Sequence, residues 1–111
     1  MNVMLNPTVQ QILQELRLSL EQLYGSRFKG LLLFGSYARG EGTDGSDIDV
    51  ALILDDFAYA GEEIERSLDV VASLCLKYTC LIGLVPIREH DWLDRQDPFL
   101  MNVRREAMPV S

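Results

Sequence analysis

Two short apolar runs, FKGLLLF at 28–34 and IDVALIL at 48–54, flank a loop that holds four glycines between positions 35 and 46. Each run reads as a buried strand, the first bounded by glycine and the second rich in β-branched residues. The two are expected to pair. The loop, GSYARGEGTDGS, is too broken for a long element but has room for one short helix beginning at Ser36. Whatever this chain folds into must bring the ends of that loop together at one end of a strand pair.

The remaining pattern is helical on both sides. Asn6 followed by Pro7 reads as an N-cap with proline at the first helical position, and Val9, Ile12, Leu13, Leu16, Leu20 and Leu23 recur at helical spacing, predicting a helix over 7–24. Ile64, Leu68, Val71, Leu74, Cys75 and Tyr78 form the apolar face of a second long helix. Residues 80–87 (CLIGLVPI) read as a third strand, with Pro86 assigning it to an edge or a break, and 98–106 as a last short helix. The expected architecture is layered α/β, one domain over 1–111.

Composition excludes several classes. At 111 residues, 48% hydrophobic and 24% charged, the chain belongs with compact globular domains. A formal net charge of −7 repels a phosphate backbone, so direct nucleic-acid binding is not expected. Arg88, Arg95, Arg104 and Arg105 concentrate positive charge late in the chain, as a solvated helix face or as a patch for an acidic partner. Cys75 and Cys80 lack metal-site or CxxC spacing and read as small buried hydrophobes. No apolar run approaches the roughly 18 residues of a membrane span and no signal-peptide layout opens the chain, so the expectation is a cytoplasmic protein without membrane attachment.

The chemistry concentrates at 31–54. Asp47 and Asp49 are two apart on a strand, so both project to one face with Cα atoms roughly 6.6 Å apart, while Ile48 turns into the core. Paired carboxylates beside an apolar sheet repel one another unless a cation joins them, and Mg²⁺, a hard ion that shares carboxylates with substrate phosphates, suits the pair. Gly35 and Ser36 suit the phosphates: glycine allows close backbone approach, and Ser36 at a helix start offers hydroxyl and N–H donors. Taken singly, Asp47 is equally a turn cap, Asp49 a solvent-facing strand residue and the glycine-serine pair an ordinary loop. Their fixed order between two strands is what points to phosphoryl-type transfer.

The arrangement Gly35-Ser36, ten residues, then Asp47-x-Asp49 resembles the GSx10DxD signature of the nucleotidyltransferase superfamily, specifically of its minimal nucleotidyltransferases, the MNT proteins. The flanking text GSYARG and SDIDVALIL and the tail DPFLMNVRREA at 97–107 are similar too, so the resemblance covers most of the chain from Phe28 onward. It implies a polymerase-β-like nucleotidyltransferase fold, a small mixed sheet flanked by helices, with Gly35 and Ser36 on the triphosphate and Asp47 and Asp49 as catalytic metal ligands. It further implies Mg²⁺-dependent transfer of AMP from ATP to a protein hydroxyl, a tyrosine of a cognate HEPN ribonuclease toxin, with the chain as antitoxin of a type VII-like toxin–antitoxin pair. Many superfamily members carry a third acid on the next strand; 81–87 (LIGLVPI) has Gly83 and no acid, leaving Glu89 or a partner group as the base. That departure keeps open a non-catalytic antitoxin that masks its toxin by contact. Small-molecule nucleotidyl transfer is a further alternative.

Other residues have two readings each. Arg39, three after Ser36, either contacts phosphate oxygens or forms a salt bridge to a nearby aspartate. Asp44 either assists the metal or is a turn residue, and turn chemistry suffices. His90 is a proton shuttle or a surface turn residue. Trp92, Phe99 and Leu100 pack on the sheet or form a partner surface.

Overall fold

The computed structural model describes residues 5–43 and 45–111; Asp44 lies outside the described residues. In chain order the elements are α1 (Pro7–Tyr24), a 3-10 turn at Gly25–Arg27, β1 (Phe28–Phe34), β2 (Ile48–Leu54), α2 (Ala60–Tyr78), β3 (Ile82–Arg88), α3 (Glu89–Asp94), α4 (Pro98–Glu106) and β4 (Met108–Pro109). The sheet runs β3-β2-β1-β4. β1 is antiparallel to both β2 and β4, whereas β2 and β3 are parallel, with α2 as the crossover. The mixed sheet flanked by helices is the expected architecture, and the edge position of β3 explains how Pro86 is tolerated.

Alternation along the strands separates two cores. Ile48, Val50, Leu52 and Leu54 join Leu31 and Leu33 under α1, where Ile12, Leu16 and Leu20 are buried. Ala51 and Ile53 face the opposite way, with Ile87 and Leu100, over half-buried Leu32, Phe34, Val85 and Trp92. Trp92 and Leu100 therefore pack on the sheet, and Phe99 meets Phe34 edge to face at 5.9 Å between centroids. The first helix starts as its sequence dictates: Asn6 Oδ1 accepts the Thr8 and Val9 N–H groups at 2.8 and 3.2 Å.

Three expectations change. No helix follows Ser36; residues 36–40 form successive turns, closed by Arg39 N–H to Gly35 O and Glu41 N–H to Ser36 O, because Gly40 at φ 78° turns the chain out of a helical path. Leu23 at the end of α1 is exposed and Tyr24 is buried in its place. In α2 the apolar stripe holds only from Val71 onward: Ile64 is 45% and Leu68 54% exposed, while Glu63 and Ser67 are buried. Both inward polar residues have partners, although Glu63 Oε1 is buried without a hydrogen bond. Glu63 lies 3.6 Å from Arg27 and 3.5 Å from Arg66, its carbonyl accepts the Tyr24 hydroxyl, and Ser67 Oγ donates to Ile64 O. Burial, then the charge of Glu63, pushes the Tyr24 phenol up to about 12. Cys75 and Cys80 are free and half-buried. Among the described residues no helix is long and apolar enough to cross a membrane.

This register makes a direct prediction. Leu74→Ala should cost about 2–5 kcal/mol in urea unfolding, whereas Ile64→Gln and Leu68→Gln should each stay within about 0.5 kcal/mol of the parent. Equal losses at all three positions would refute the observed rotation of α2.

Candidate functional site

The site hangs from the start of β2. Asp49 is its second residue and faces the side of Ala51 and Ile53. Its register partners are Phe34 on β1 and Gly83 on β3. Gly35, directly after Phe34, has φ 76°, a left-handed conformation that favours glycine. A Cβ at Gly35 would also collide with Asp49 Oδ2, and one at Gly83 would come to 3.0 Å from Oδ1. The Asp49 carboxylate thus lies between two glycines, Gly35 just after β1 and Gly83 in register with it on β3.

Asp47, just before β2, is exposed. Burial first, and the charge of Asp47 next, push the Asp49 carboxyl above the ordinary value of 3.8; Glu106 adds to the rise and Arg39 opposes it. Sequence reasoning had not singled out Glu106. As the last residue of α4 it accepts the Gly35 backbone N–H at 3.1 Å and Arg39 Nη1 at 3.2 and 3.4 Å. Arg39 also meets Glu41 at 2.8 Å, so among the described residues its salt bridges are to glutamates and not to an aspartate. Gly35, Arg39, Asp47 and Asp49 are therefore brought together, with Ser36 in the same corner. Glu89 and His90 are not: they open α3 beyond the far end of β3, six residues from Gly83 and so roughly 20 Å along the strand.

Among the described residues no group of three or more histidine, cysteine or acidic side chains converges as a metal cage. Asp47 and Asp49 instead offer oxygen donors whose like charge Arg39 offsets only in part, the donor set of a hard divalent cation that takes its remaining ligands from water and an anionic ligand. Beside Asp47 an open hollow of about 450 Å³ is lined by Ser46, Leu76, Cys80 and Leu81. Leu76 and Leu81 are 83% and 67% exposed, so the side of the site toward β3 is apolar, in contrast to the polar corner toward β1.

Because Asp49 holds its proton more tightly in the folded chain than in the unfolded one, its ionisation lowers stability as pH rises from the ordinary aspartate range. Asp49→Asn should raise Tm at pH 7 in chelator-treated buffer, and the difference from the parent should shrink as pH falls toward about 4. A lower Tm for the variant at pH 7 would contradict the assigned environment.

The model of the nucleotidyltransferase domain family matches residues 13–96, well over half of the chain. A Methanocaldococcus jannaschii protein named "Putative protein adenylyltransferase MJ0604" is 40% identical over 68 residues, 60% of this chain and 61% of its own length. The chain thus spans about three-fifths of that relative. Among solved structures, a chain of a toxin–antitoxin complex with AMP-PNP aligns with a TM-score of 0.61 at 18% identity, covering 86% of this chain and 70% of that one. A chain of the tri-AMPylated Shewanella oneidensis HEPN toxin in complex with MNT antitoxin aligns with a TM-score of 0.54 at 17% identity, covering 92% and 71%. At these identities the structural likeness is one of fold.

Proposed function

Because the chain belongs to the nucleotidyltransferase domain family, we propose that it transfers AMP from ATP, with Mg²⁺, to a hydroxyl of a partner protein, and that this partner is a HEPN toxin for which the chain is the antitoxin. The observation that carries the reading is the Asp49 carboxylate held between Gly35 and Gly83, beside Asp47 and at the edge of the glycine-serine corner. The relative named as a protein adenylyltransferase and the fold shared with a complex containing an AMPylated HEPN toxin support the class of acceptor. A tyrosine is the acceptor we favour.

In this reading Asp47 and Asp49 hold the metal, which when bound neutralises charge on the reacting phosphoryl group. Gly35 and Ser36 present N–H and hydroxyl donors to the β- and γ-phosphates, and Arg39 turns its guanidinium to the same oxygens. Displacement at the α-phosphorus is in line, so the acceptor oxygen attacks from the side opposite the departing pyrophosphate. With the pyrophosphate at the β1 corner, the acceptor comes over β3, across Leu81 and Gly83. Its O–P bond forms as the bond to pyrophosphate breaks, and its proton leaves to a base on the partner protein, since β3 of this chain carries no acid. Apolar Leu76 and Leu81 suit an acceptor presented on a protein surface better than a polyanion.

Incubation with radiolabelled ATP, Mg²⁺ and the product of the neighbouring gene should label that product. Asp47→Ala combined with Asp49→Ala should reduce the labelling roughly 100-fold or more, the scale of losing charge stabilisation at a reacting centre. Undiminished labelling by the double variant would sink the assignment. The absence of an acid at Gly83 favours a second reading, in which the chain silences its partner by contact alone. There the double variant would still neutralise the toxin, whereas under transfer it would bind and fail to neutralise.

A further inference from the structure

Two of the donors on the phosphate side of the corner, the Gly35 N–H and the Arg39 guanidinium, are already engaged by the chain itself. Glu106 Oε1 takes the Gly35 N–H, and both its oxygens take Arg39 Nη1, although Glu106 is 71 residues from Gly35 in sequence. Its carboxylate presents to those donors what a phosphate presents, a pair of anionic oxygens. Resting on the nucleotidyl-transfer reading above, we propose that Glu106 is a phosphate-side positioning residue: it holds the Gly35 N–H and the Arg39 guanidinium in place while the corner is empty, and yields both to the triphosphate.

Two observations separate this role from that of the missing base. A base must lie on the acceptor side, and Glu106 lies on the opposite side, with the donors for the leaving group. Charge also disfavours its staying once phosphate arrives. Arg39 is shared by Glu41 and Glu106 and faces Asp49, so one guanidinium serves three carboxylates. A triphosphate adds further negative charge at the same donors, and like charges in contact disfavour one another. Glu106 can withdraw by side-chain rotation, since its side chain is already 25% exposed.

The test measures Mg²⁺-dependent binding of AMP-PNP, inorganic tripolyphosphate and AMP to the full chain and to Glu106→Gln by calorimetry. The variant is nearly isosteric and removes only the charge. AMP-PNP and tripolyphosphate should bind about three- to tenfold more tightly to the variant, and AMP, which lacks the outer phosphates, with unchanged Kd. Unchanged or weaker tripolyphosphate binding, or an equal gain for AMP, would overturn the proposal while leaving the transfer reading intact. If neither chain binds AMP-PNP, the transfer reading itself fails. A second measurement needs no variant: in NMR titration of the parent with tripolyphosphate and Mg²⁺, the Gly35 and Glu106 amide resonances should shift along one binding curve. A Gly35 shift without a Glu106 shift would refute the exchange.

Discussion

Strand β2 is buried along both faces from Val50 to Leu54, and its second residue is an aspartate. Nothing in hydrophobic packing favours a carboxylate there; burial raises its proton affinity and the neighbouring Asp47 raises it further. The surroundings accommodate the group by leaving space. A glycine just after β1 and another on β3 give the Asp49 oxygens room that any side chain would take. A glycine at 35 also lets β1 turn away sharply, so the requirement for space and the requirement for a left-handed backbone coincide at one residue.

Around this point the chain distributes its charges unevenly. Toward β1 lie Arg39, Glu41 and Glu106, an exposed guanidinium bridging carboxylates from a turn and from the end of α4. Toward β3 lie Gly83, Leu81 and Leu76, with no charge on that strand until Arg88 at its far end, where it pairs with Asp56 and Asp91. The late arginines are largely structural in this way: Arg104 donates to the carbonyls of Trp92, Asp91 and Arg95, tying α4 to α3. The acidic net charge therefore coexists with a cluster of cations that is mostly consumed inside the fold.

How much of this was legible in the sequence depends on how local each cause is. The bounds of α1, β1, β2 and α4 follow from neighbours in the chain: Asn6-Pro7 and Asp97-Pro98 start their helices, and glycines or aspartates end the strands. The acids and the glycine-serine corner were readable for the same reason, since strand alternation alone aligns Asp47 with Asp49. The inward turn of Glu63 was not, because it depends on Arg27 and Tyr24 arriving from another element. Glu106 was invisible for a stronger version of that reason. Within its own segment it is an ordinary acid at a helix end, and only the docking of α4 brings it to Gly35.

The corner draws on positions 35 and 39 in the turn after β1, 49 on β2, 83 on β3 and 106 at the end of α4. The β1–β2 pair carries most of these residues, and the complete corner exists only once β3 and α4 have docked against it. Anything gripped across that point recognises only the completed sheet and draws the folding equilibrium of the entire chain by mass action. Occupancy and native population are then two readings of the same free energy, and scarcity of ligand would be felt as lower stability of the fold as a whole, not as loosening of one loop.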